Sequence, residues 1–181
     1  MTSPVGGAFV LGLFMCIGLV LVQPTLATAG EKPVSGPGIE MRTSVGPSIG
    51  VNGVGVLGDL SGEFVYHSSV WGNGVGIGGA VGGQFRGEVV GGQVGILLSL
   101  DRRLRRAPSI VLSPNMILGY GAWTLERQVF SYLAVEVGLP VRMRLGKSWT
   151  LIARTAHIAF QIDSVGASIF LNPSIGFGYT F

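Results

Sequence analysis

Leu133-Ala134-Val135-Glu136-Val137-Gly138-Leu139-Pro140-Val141-Arg142-Met143-Arg144-Leu145 places every large apolar side chain on odd positions and every charge on even ones. A period of two is the signature of a β-strand, because successive side chains point to opposite faces. The apolar face runs unbroken from Leu133 to Leu145, while the other carries small, cyclic or ionisable residues. A strand with lipid on one side and a polar interior on the other needs this arrangement. Glu136, Arg142 and Arg144 are therefore expected to face a lumen.

The same alternation recurs on both sides of this stretch. Ile39, Met41, Thr43 and Val45 alternate with Glu40, Arg42, Ser44 and Gly46, and Val75, Ile77, Val81 and Phe85 oppose a face of glycine, alanine and glutamine. Strands are expected near 39 to 51, 62 to 71, 75 to 85, 89 to 100, 109 to 122, 129 to 145, 149 to 162 and 168 to 181. The fold class is thus all-β: a closed antiparallel transmembrane barrel of eight strands over residues 39–181. An even number returns both ends of the chain to one side of the membrane. Asn52-Gly53 could close a further hairpin with a strand from Val54, so ten strands is the alternative count. Gly72 to Gly74, Asp101 to Pro108 and Gly146 to Ser148 become turns on the side of the termini.

Composition agrees with this reading. Of 181 residues 31 are glycine and only 12% are charged, against about 25% in ordinary soluble domains. Mean hydropathy is positive, yet beyond the first thirty residues no apolar run approaches the roughly 20 residues of a spanning helix. The apolar segment from Ala8 to Val22, a Gln23-Pro24 breaker and Ala27-Thr28-Ala29 before Gly30 read as a signal peptide over 1–29, followed by a short leader over 30–38. No Lys or Arg precedes the apolar core, so an uncleaved anchor is the alternative. Cys16 lies inside this segment, and cleavage leaves no thiol for a disulfide, a metal or a nucleophile.

One residue breaks the pattern. In the strand from Trp149, Arg154 falls on the face of Ile152, Ala156 and Ile158, and a charge at mid-bilayer costs roughly 2 to 4 kcal/mol. A β-bulge near Arg154-Thr155 would turn Arg154, His157, Gln161 and Asp163 inward.

The chain ends Ser174-Ile175-Gly176-Phe177-Gly178-Tyr179-Thr180-Phe181, with Ile175, Phe177, Tyr179 and Phe181 on one face. Aromatic rings at a strand end suit the interfacial girdle. Ser174, Gly176, Tyr179 and Phe181 resemble the C-terminal assembly signal of small outer-membrane β-barrels, OmpA-like and OmpX-like in architecture. The resemblance implies location in a bacterial outer membrane, contact with its lipid, and reading of the last strand by the barrel-assembly machinery.

Gly74-Val75-Gly76-Ile77-Gly78-Gly79 matches a dinucleotide-binding string in letters, but that chemistry needs a helix after the glycines and strand alternation continues to Phe85. Glycines on a lumen face instead leave room for large side chains opposite or for water. The lumen inventory is Glu40, Arg42, Glu63, His67, Gln84, Arg86, Gln93, Glu136, Arg142, Arg144, Arg154, His157, Gln161 and Asp163. Paired across a narrow interior, these charges would plug it; around a wide one, a slight excess of Arg would favour anions. Arg102, Arg103, Arg105 and Arg106 read as a solvated periplasmic turn that anchors headgroups, with acidic lipid or a periplasmic partner as the functional reading. No cofactor, metal or nucleic-acid partner is expected. The expected role is structural or interaction-related, with no enzymatic activity. A small channel for ions or polar solutes is the alternative, and a lipid-modifying enzyme using His157 or His67 is a third reading.

Overall fold

The computed structural model describes residues 36–51, 55–125, 128–164 and 166–181; the signal segment, residues 30–35 of the leader and the Asn52-Gly53 signal lie outside the described residues. Ten strand segments follow one another: β1 (Gly38–Gly50), β2 (Gly55–His67), β3 (Gly74–Arg86), β4 (Val89–Leu104), β5 (Ala107–Leu112), β6 (Asn115–Leu125), β7 (Gln128–Arg144), β8 (Trp149–Ile162), β9 (Ala167–Leu171) and β10 (Ser174–Thr180). They make a closed ring of eight antiparallel walls, because β5 with β6 and β9 with β10 are each two halves of one wall. Both halves of each pair bond to the same two neighbours, β4 and β7 in one case, β8 and β1 in the other.

Proline accounts for both interruptions, since it cannot donate to a ladder. Pro114 breaks the wall of β5 and β6, where Leu100 N still reaches Pro114 O at 2.9 Å and Ser113 N reaches Pro140 O at 2.9 Å. On the closing wall, the pairs Val45↔Ile175 and Ile49↔Leu171 put Pro47 opposite Pro173. Neither residue has an N–H to give. Ring closure is completed by Glu40↔Thr180 through Val45↔Ile175.

β8 carries one residue more than both its neighbours. Against β7 the register steps from Pro140↔Arg154 to Gly138↔His157, leaving Thr155 and Ala156 opposite Leu139 alone. The same step lies between Ser174↔Arg154 on β10 and Ile158↔Leu171 on β9. Thr155 and Ala156 are both exposed while Arg154 and His157 are both buried. This is the bulge that the charge of Arg154 requires.

The outward faces are apolar on wall after wall, with Phe64, Ile77, Ile96, Leu118 and Val137 all about half exposed. On β7 the row from Leu133 to Leu145 spans roughly 40 Å along the strand, or about 28 Å at a tilt near 45°, enough for the ~25 Å apolar band of a membrane barrel. At the terminal end, where β1 begins and β10 ends, Trp149, Tyr179 and Phe181 form an aromatic row with successive edge-on ring centroids 5.1 Å apart.

Several boundaries differ from expectation. The second strand is Gly55–His67 and not 62 to 71, since glycine at 55, 58 and 62 dilutes the alternation that Leu57, Asp59, Ser61 and Glu63 carry inward. Residues Ser68–Asn73 are a loop, and its adjacent apolar pair Val70-Trp71 is buried. The turn expected over Asp101 to Pro108 shrinks to Arg105-Arg106, because β4 continues to Leu104.

Candidate functional site: the barrel lumen

Inward positions build the lumen in tiers. In the terminal half, Glu40 Oε2 accepts from Arg42 Nε at 2.9 Å and lies 2.6 Å from Arg142 Nη2. Arg42 Nη1 reaches Glu63 Oε2 at 3.3 Å, and Arg154 pairs with Glu63 Oε1 from the far side. His67 lies between Arg42 Nη2, 2.7 Å from its Nε2, and Asp101 Oδ2, 2.5 Å from its Nδ1. Donation from Nδ1 to Asp101 and acceptance at Nε2 from Arg42 satisfies both ring nitrogens. Ser113 Oγ donates to Asp101 Oδ1 at 2.7 Å, and Arg142 Nη1 stands 3.5 Å from the same oxygen.

These groups come from every wall except β3 and the wall of β9 and β10, which present glycine. A Cβ on Gly178 would fall 2.5 Å from Glu40 Oε1, so the bare closing wall gives the Glu40 carboxylate its room. The buried ionised groups are Glu40, Glu63, Asp101 and Glu136 against Arg42, Arg142 and Arg154. Each of these charges has an opposite charge or His partner, as burial demands.

Below the network, the terminal mouth is filled by the β2–β3 loop. Trp71 is 1% exposed and packs with Val70 and Val111. The guanidinium carbons of Arg142 and Arg144 lie 5.4 and 5.6 Å from its ring centroid, within cation–π range. Arg142 Nη2 also donates to Val70 O at 3.2 Å.

Above the network, one side of the lumen is apolar, with Val65, Ala80, Leu97 and Ile117 in one cluster. Towards the distal end His157 Nε2 lies 2.7 Å from Glu136 Oε2, and Gln93 bonds the other oxygen. A chain of neutral groups then crosses the interior. Trp123 Nε1 donates to Gln161 at 2.8 Å, Gln161 to Gln84 at 3.0 Å, Gln84 to Ser48 at 2.8 Å, and Ser48 to Asn172 at 2.7 Å. Trp123 and Tyr132 lie over glycine backbone, since a Cβ on Gly91 or Gly121 would come within 2.4 Å of their rings.

Placement of the expected lumen residues divides them. Glu40, Arg42, Glu63, His67, Glu136, Arg142, Arg154 and His157 are buried inside. Arg144 is half-buried at the terminal mouth, where its Nε donates to Gly146 O at 2.5 Å. Arg86 and Asp163 depart from expectation: both are exposed at the distal rim, because the strands end there. Asp163 Oδ1 accepts from Gly166 N at 2.9 Å and closes the β8–β9 turn. With Arg86 and Arg144 outside the buried set and Asp101 within it, the expected Arg excess is gone. Asp101 and Trp71 escaped the sequence reading, although the inward parity of Leu97 and Ser99 continues to Asp101.

Ser174, Gly176, Tyr179 and Phe181 lie on or beside β10. Gly176 and Gly178 face inward, whereas Tyr179 and Phe181 face out. The histidine groups weighed for catalysis separate: His157 pairs with Glu136 and not with Asp163, and Ser68 Oγ accepts from Val75 N at 2.9 Å in the terminal loop.

An eight-walled antiparallel barrel with an apolar exterior and a polar, paired interior is a small transmembrane β-barrel. Solved structures agree on the fold. The N-terminal β-barrel domain of Pseudomonas aeruginosa OprF superposes with a TM-score of 0.55 at 10% identity, covering 78% of this chain and 97% of that one. Ail, the attachment invasion locus protein of Yersinia pestis, gives 0.53 at 12% identity over 81% and 99%. Neisserial surface protein A gives 0.53 at 11% identity over 81% and 98%. No family model matches the chain, and no curated protein matches it in sequence. This chain therefore has the fold of the small outer-membrane barrels.

Proposed function

We propose that the protein is an integral barrel of the bacterial outer membrane with a structural or interaction role and a lumen closed to ions. The observation that carries this reading is the network of Glu40, Arg42, Glu63, His67, Asp101, Arg142 and Arg154, which joins opposite walls by paired charges. An ion crossing it would have to part buried pairs, and breaking one such pair costs about 3–5 kcal/mol. Trp71 blocks the terminal mouth a second time. Lipid is the partner of the apolar exterior. The terminal strand is the element the barrel-assembly machinery would read, and the N-terminal segment would direct export.

The test is single-channel recording of mature protein refolded into a planar bilayer, with folding established by a heat-dependent gel shift. Silence from folded protein is expected. Stepwise currents would replace this reading with that of a small channel.

A further inference from the structure

Barrel interiors are polar as a rule, and the distal mouth of this one is not. Trp123, Phe130, Tyr132 and Phe170 all lie on inward positions, so lipid does not cover them. Trp123 is 5.9 Å from Tyr132 and 6.4 Å from Phe170 between ring centroids. Phe130 remains 42% exposed at the rim. These rings, with Leu57 and Val89, line an open cavity of about 270 Å³. Leu57, Tyr132 and Phe170 are buried behind it, and Trp123, Phe130 and Val89 present the accessible apolar surface; such a patch inside a concavity marks a binding site.

The floor and the rim narrow the choice of ligand. Below the rings, the relay from Trp123 through Gln161 and Gln84 to Ser48 crosses the lumen as the floor of the cavity. It also holds the indole in one orientation. At the rim, Asp163 is the one charged residue among the described residues that line the cavity, with Gln161 and Ser168 its polar companions. Its turn bond to Gly166 N fixes the carboxylate in place. The volume suits roughly ten non-hydrogen atoms. A flat ring lying against Trp123 and Phe130 would leave a short substituent for the carboxylate.

We propose that the distal mouth is a binding site for small aromatic ammonium compounds, the ring held by Trp123 and Phe130 and the ammonium by Asp163. The site is independent of whether the lumen below it conducts.

The test follows the three indole N–H cross-peaks of Trp71, Trp123 and Trp149 by NMR in the detergent-folded mature protein, titrated with 2-phenylethylamine, 2-phenylethanol and phenylacetate. Trp123 should shift saturably with 2-phenylethylamine, in roughly the millimolar range for so small a ligand. Trp71 and Trp149 should stay in place. The amine should bind about fivefold more tightly than the alcohol, the factor an exposed ion pair supplies, and phenylacetate more weakly than either. Asp163→Asn, which keeps the turn acceptor, should bring amine and alcohol to equal affinity. Equal affinity for the amine and the alcohol in the unaltered protein would overturn the ammonium assignment. Movement of Trp149 together with Trp123, or no movement of Trp123, would overturn the site.

Discussion

His67 Nδ1 stands 2.5 Å from Asp101 Oδ2, although β3 lies between their strands in the sheet. The pair passes over Gly76, where an added Cβ would fall 2.3 Å from Ser99 Oγ and 3.1 Å from His67 Nδ1. Asp101→Ala removes the acceptor of His67, Ser113 and Arg142 together. A loss of about 3–5 kcal/mol is expected, as for a broken buried pair. Urea unfolding of the micelle-bound protein measures it. In the double variant with His67→Ala the loss should be smaller than the sum of the single losses.

The extra residue in β8 makes a prediction about a deletion. Thr155 and Ala156 both face out opposite Leu139, so removing Thr155 restores one-to-one pairing and leaves Arg154 and His157 inward. Such a variant should fold with stability within about 1 kcal/mol of the parent, because no charge is moved into lipid. In the parent, spin labels at the adjacent positions 155 and 156 should both meet a lipid-phase quencher. Labels at 154 and 157 should not.

Closure of the lumen has two layers, and they should fail separately. Trp71→Ala opens the terminal mouth but leaves the network of Arg42, Glu63 and Arg154 in place, so no current is expected. Trp71→Ala combined with Arg42→Ser and Glu63→Ser should conduct in the planar-bilayer assay. Current from the single variant would show that the ring, and not the charge network, is the barrier.

Glycines on β10 differ in what they face. A Cβ on Gly176 would lie 2.0 Å from Thr43 O and 2.8 Å from Ser44 Cα, both backbone atoms of β1 at the closing seam. A Cβ on Gly178 meets the end of the Glu40 side chain, which can turn away. Gly176→Ala should therefore reduce the folded fraction on the heat-shift gel, at a cost of about 1–3 kcal/mol for forced backbone movement. Gly178→Ala should be the milder change.

Much of the wall was legible because lipid enforces alternation. The row Leu133 to Leu145 and the mismatch at Arg154 were enough to place β7 and the bulge in β8. Where glycine interrupts the apolar face, as at Gly58 and Gly62, that constraint leaves little trace, and the start of β2 is not legible. Pairing inside the lumen was legible only as an inventory. Which charges meet depends on register across several strands, and in sequence Asp101 reads as part of a basic turn because nothing there marks that β4 runs on to Leu104. Trp71 was hidden for another reason: its burial comes from a loop folding into the mouth, which no strand period encodes.

At the distal end β3 passes to β4 through Gly87 and Glu88 alone. Proteases cut where a loop can be drawn out into an extended segment, and a link of two residues tied to paired strands on both sides cannot be. With that end turned outward, this hairpin would pass intact through enzymatic shaving of whole cells, and an antibody would find a rim there in place of a flexible epitope.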